Sequence, residues 1–135
     1  MNENYGWLNI TQGNINNFSF LKWPLIYQEK IMLKNCSFCI NTCILLSKLN
    51  GIKYAGFSIL KSNSFTYPIK CNSNVKYYIG LNISDKTNCK LYSQNYSMSL
   101  ENGKSFLFNS SFENYEINES NYDRIVLEIE FDLIS

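Results

Sequence analysis

At 135 residues, with 45% hydrophobic and 17% charged side chains, the chain suits one domain with a core of its own, and wholesale disorder is excluded. A formal net charge of +1 excludes the strong overall field that favours nucleic acid or an anionic membrane. The absence of histidine excludes Ser-His-Asp and Cys-His nucleophilic systems and removes the commonest transition-metal ligand.

Aromatic residues reach 16%, with ten Tyr and nine Phe, and such side chains fit a pleated, half-buried surface. Abundant Asn favours turns, because its side chain bonds to nearby backbone; an AT-rich genome would enrich the same residue.

In chain order, residues 7–11 and 30–33 predict short strands. Residues 43–60 predict a hairpin, because Asn50-Gly51 divides two apolar runs and both positions accept positive φ. The competing reading is a helix over 31–49 with Gly51 beyond its end; Asn35, Ser37, Asn41 and Thr42 argue against it as poor helix formers. Residues 65–71 form a further weak strand. Residues 75–84 alternate cleanly, with Val75, Tyr77, Ile79, Leu81 and Ile83 on one face and Lys76, Tyr78, Gly80, Asn82 and Ser84 on the other.

Weaker strands follow at 89–92, 105–109 and 111–117. The last strand, 124–133, alternates Ile125, Leu127, Ile129, Phe131 and Leu133 with Arg124, Val126, Glu128, Glu130 and Asp132. These elements predict an all-β domain over 1–135, an antiparallel two-sheet sandwich of jelly-roll type. The charged row of the last strand reads as a wet, edge-protecting face, which favours an open sandwich over a barrel covered on both sides.

Candidate chemistry is sparse. Most acids crowd into the last twenty residues at strand spacing, and no phosphate-cradling glycine loop is present, so no catalytic residue is assigned. Cys36-x-x-Cys39 with Cys71 and Cys89 is half of a zinc pattern; Cys43 is left over, and buried free thiols in a reducing compartment are expected instead. No cofactor and no metal are assigned. Met1 to Tyr5 shows neither a basic start nor an apolar stretch, so no signal peptide is read, and no run is long enough to span a membrane. Trp7, Tyr78 and Tyr92 are the candidate ligand or partner contacts, since exposed sheet aromatics stack on sugars or anchor interfaces.

The order of elements from 65 to 133 resembles the jelly-roll carbohydrate-binding modules of the galactose-binding-like superfamily. The likeness rests on Ser73-Asn74-Val75-Lys76-Tyr77-Tyr78-Ile79-Gly80-Leu81-Asn82-Ile83, the Cys89-Lys90-Leu91-Tyr92 strand, the aromatic Phe106-Leu107-Phe108 strand and the final alternation. It covers about half the chain and implies a non-catalytic sandwich with sugar or protein on one face. Signal-less sandwiches of this size are common among virion proteins. The expected function is therefore a structural, assembly module of a virus particle, not an enzyme, with further copies or other virion proteins as partners. A glycan-binding module is the alternative.

Overall fold

The structure, a computed structural model, describes residues 6–12, 15–70, 75–84, 87–94 and 96–131. Their elements are β1 (Leu8–Gln12), β2 (Ile15–Tyr27), β3 (Lys30–Ile31), α1 (Leu33–Cys36), α2 (Ile40–Ser47), β4 (Ile52–Leu60) and β5 (Ser64–Phe65), then β6 (Val75–Asn82), β7 (Cys89–Ser93), β8 (Tyr96–Ser99), β9 (Ser105–Phe108), β10 (Asn114–Asn118) and β11 (Arg124–Phe131). They build two antiparallel sheets in jelly-roll fashion. The larger runs β1-β2-β4-β11-β6-β9 with β3 added beside β2, and the smaller runs β5-β10-β7-β8.

The larger sheet is covered on both faces. Its outer face carries Leu25, Ile26, Ala55 and Ile129, with Tyr77, Leu127 and Phe131 packed against them, beneath Cys36 and Leu46 of the two helices. Its inner face meets the smaller sheet in a second cluster, where Tyr78, Phe108 and Val126 touch Cys89 and Leu91. The alternation along β11 is therefore real, but the expected wet face is not: Glu128 is fully buried and Arg124 is 1% exposed. The apolar row needs the helix layer for its cover, which leaves the charged row pointing between the sheets. Asp132, the last acid of that row, lies outside the described residues.

The predicted hairpin over 43–60 is corrected to helix-then-strand. Asn35, a weak helix former, is held in α1 by its side chain: its Nδ2 donates to Pro24 O at 2.7 Å and its Oδ1 accepts from Gly6 N at 2.8 Å. Gly51, at φ +79°, then supplies the left-handed turn that releases the chain from α2 into β4. The expectation of free thiols is corrected in part. Cys36 and Cys43 form a disulfide with Cα atoms 5.8 Å apart, joining α1 to α2. Cys39 and Cys89 carry thiols, that of Cys89 donating to Asn118 Oδ1 at 3.4 Å, and Cys71 lies outside the described residues.

Gly80 shows how tightly the inner face is closed. A Cβ there would lie 2.1 Å from the Glu101 carbonyl oxygen, on backbone anchored by the Gly103 N–H, which donates to Gly80 O at 2.8 Å. Gly80→Ala is expected to destabilise by about 1–3 kcal/mol or more, read as a lower urea midpoint at unchanged slope.

Candidate functional site

Strand register decides which side chains share the space between the sheets. Glu128 lies opposite Tyr78 on β6 and Gly56 on β4. Glu130 lies opposite Lys76 and Tyr54, and Lys22 of β2 lies opposite Ser58. Cross-strand neighbours project to the same face, so these residues converge with Arg124 on the interior.

Three ion pairs result. Lys22 pairs with Glu128, Lys76 Nζ lies 3.2 Å from Glu130 Oε1, and Arg124 pairs with Glu116, which β10 brings in from the smaller sheet. Three cations thus meet three carboxylates, which is how a jelly-roll interior can hold six formal charges.

The Arg124 end is the most elaborated. Arg124 Nη1 donates to Glu116 Oε1, and Nη2 donates to Ser58 Oγ at 3.2 Å. Tyr78 Oη donates to the other Glu116 oxygen at 3.0 Å. Arg124 Nε is buried with no hydrogen-bond partner among the described residues. Burial, reinforced by the Glu116 and Glu128 charges, pushes the Tyr78 hydroxyl well above the ordinary phenol range, so it remains a donor. Burial works against the Arg124 charge, but Glu116 and its neighbours outweigh it and hold the guanidinium protonated. Burial would likewise raise the Glu128 carboxyl; Lys22 and Lys76 overcome it and hold it below the usual value. A neutral donor, a fixed cation and a carboxylate within one buried cluster can bind and orient an anionic group.

The sequence-predicted contacts fall apart in space. Tyr78, expected on an exposed face, is 1% exposed inside the sandwich, edge-on to Phe108. The correction has the same cause as for β11: the polar face of β6 is the inner one. Trp7 is partly exposed and meets Trp23 edge-on at 5.5 Å. Tyr92 stacks on Tyr115, with centroids 5.0 Å apart, on the smaller sheet. A shallow depression lined by Ser84, Asn88, Glu119, Ser120, Asn121 and Tyr122 includes none of the ion-paired residues and gathers no basic residue. Arg124 and Glu116 were missed as site residues. Their one signal in the sequence is that Arg124 is the sole arginine of the chain.

A family model described as aspartyl/asparaginyl beta-hydroxylase matches residues 6–132. Among curated proteins, none matches the sequence. Solved structures share the fold at low identity. An oxidoreductase of the 2OG-Fe(II) oxygenase family from Burkholderia pseudomallei aligns at TM-score 0.65 and 10% identity, over 95% of this chain and 73% of that one. The Cupin_2 domain of an XRE family transcriptional regulator from Enterobacter cloacae aligns at 0.60 and 8%, over 86% and 99%. A predicted oxalate decarboxylase from Thermotoga maritima aligns at 0.58 and 13%, over 84% and 81%.

These findings keep the jelly-roll expectation and overturn the functional one. The family match replaces the non-catalytic virion module and its glycan-binding alternative with a hydroxylase family and a cupin-type fold. The likeness to carbohydrate-binding modules was one of strand order, which many jelly rolls share.

The iron of such oxygenases does not fit the residues present. Non-haem ferrous sites use two imidazoles and a carboxylate, and this chain has no histidine. Among the described residues no three His, Cys, Asp or Glu side chains gather as metal ligands, and each interior glutamate is committed to a lysine or arginine.

Proposed function

Because the chain belongs to the aspartyl/asparaginyl beta-hydroxylase family, we propose that it is a cupin-type enzyme domain acting on a small organic acid held at Arg124 inside the jelly roll. The observation that carries this is the placing of the sole arginine between the sheets, flanked by Ser58 Oγ and the Tyr78–Glu116 pair, with one N–H unpartnered among the described residues. A guanidinium is built for bidentate carboxylate recognition. Glu116 occupies that position in the structure, so a ligand carboxylate would take its place as the Glu116 side chain turns away. Tyr78, kept protonated, would then be free to donate to the incoming acid. The Burkholderia neighbour is named for 2-oxoglutarate and the Thermotoga neighbour for oxalate, which sets the first acids to try.

The test is a thermal-shift and calorimetric panel of 2-oxoglutarate, oxalate and monocarboxylates, with consumption of any bound acid followed by mass spectrometry. Glu116→Gln removes the internal competitor's charge and is expected to tighten binding roughly tenfold. Arg124→Lys keeps the charge but loses the fork and is expected to weaken it by a similar factor. Failure of every acid to bind both wild type and Glu116→Gln overturns the assignment.

A further inference from the structure

The chain contains two Asn-Gly pairs, Asn50-Gly51 and Asn102-Gly103, and the fold treats them differently. Both asparagines and both glycines are exposed. Gly51 and Gly103 share the left-handed region, at φ +79° and +75°, and a Cβ on either would meet nothing within 4 Å. The difference lies in hydrogen bonding. Asn102 Oδ1 accepts from Ile83 N at 2.6 Å, its Nδ2 donates to Ile83 O at 3.1 Å, and Gly103 N donates to Gly80 O at 2.8 Å. Among the described residues neither the Asn50 side chain nor the Gly51 N–H has a hydrogen-bond partner.

That contrast bears on a reaction intrinsic to the pair. An asparagine side-chain carbonyl carbon is open to attack by the next residue's backbone nitrogen. A following glycine hinders the approach least, because it has no Cβ. From the contrast we infer that Asn50 is a site of spontaneous deamidation and that the fold protects Asn102. Gly51 N bonds to Asn50 Cγ and closes a succinimide ring. The side-chain nitrogen leaves as ammonia, carrying away the proton of the Gly51 N–H. Water then adds to one of the two ring carbonyls. Opening on one side leaves aspartate in place of Asn50; opening on the other leaves isoaspartate, with the main chain running through the former side chain.

The site lies at a joint of the fold. Leu46 of α2 and Ile52 of β4 are both buried in the outer cluster, and Asn50 and Gly51 lie on the link between them. Isoaspartate lengthens that link by one methylene and adds a negative charge. At Asn102 attack must await the loss of three hydrogen bonds, two of the side chain and one of the attacking nitrogen itself.

The test is incubation of the folded chain in warm, mildly alkaline buffer, followed by peptide mapping with mass spectrometry. Asn50 is expected to lose ammonia and gain water, a rise of about one dalton, at least about tenfold faster than Asn102. The chain unfolded in urea is expected to modify the two pairs at rates within about threefold of each other, since the bonds that separate them are gone. An isoaspartate-specific carboxyl methyltransferase with labelled S-adenosylmethionine is expected to label the peptide holding residue 50 in aged wild type. The same peptide of Asn50→Ser should stay unlabelled, with an unchanged melt because the replaced side chain is exposed. Equal rates at Asn50 and Asn102 in the folded chain overturn the inference. So does a folded chain whose Asn50 stays intact for the time in which the unfolded chain is fully modified.

Discussion

Arg124→Met is expected to destabilise the fold by about 3–5 kcal/mol, the effect of removing one partner from a buried ion pair. The loss arises because Glu116, brought in on the smaller sheet and itself buried, is left without its cation. Tyr78 would still donate to it, but one neutral hydrogen bond does not offset a carboxylate withdrawn from water. Combining Arg124→Met with Glu116→Gln removes both charges and leaves Tyr78 an acceptor, so the double variant should regain a large part of the loss. Urea unfolding of the wild type, the single and the double variants measures this directly. A single-variant cost below about 1 kcal/mol would place the pair in the range of surface salt bridges and contradict its burial.

The second large effect is at Lys22, whose charge holds the Glu128 carboxyl below the usual value against the opposing pull of burial. A carboxyl with a depressed folded pKa contributes stability that is complete above its unfolded value of about 4.3 and is lost as pH falls through the folded one. Lys22→Met removes the larger of the two cationic influences that oppose burial and leaves Lys76 as the other. The variant should lose about 3–5 kcal/mol at neutral pH, as for any buried pair broken on one side. The gap between variant and wild type should then narrow as pH falls below about 4, where the wild type gives up the same interaction. Unfolding free energies across a pH series check the sign. A gap that widens on acidification would mean that Lys22 does not act through Glu128.

Both effects rest on a face that the sequence displays but does not orient. The alternations of β6 and β11 are legible because period two survives over eight residues in each. Which row faces the other sheet depends on what covers the apolar row, and that cover is α1 and α2. Those helices resist reading from local propensity: Asn35 and Thr42 are weak helix formers, and Asn50-Gly51 serves equally as a hairpin turn or a helix exit. With the helices read as strands, the acids of β11 look like a solvent face and Tyr78 like a surface aromatic.

Strand β2 was hidden for a related reason. Its Phe18–Tyr27 stretch is apolar on both faces and contains Pro24, which argues against an interior strand; the structure accommodates it at a register shift between Pro24 and Ile26. Without β2, Lys22 has no neighbour. The pairing of Lys22 with Glu128, Lys76 with Glu130 and Arg124 with Glu116 becomes visible only when four strands of one sheet and one of the other are in register. Composition carried a fragment of this, since a lone arginine at the head of an alternating acidic strand is an unusual placing. It did not say that the arginine was inside.

The most direct test of an acid-binding interior uses that same singularity. As the only arginine, Arg124 gives one side-chain Nε–H resonance in a 15N correlation spectrum, and that N–H is the buried donor with no partner among the described residues. Titration with 2-oxoglutarate or oxalate is expected to shift this one peak saturably, and more readily in Glu116→Gln than in the wild type. A peak that stays fixed in both proteins through saturating acid would contradict an organic acid at Arg124.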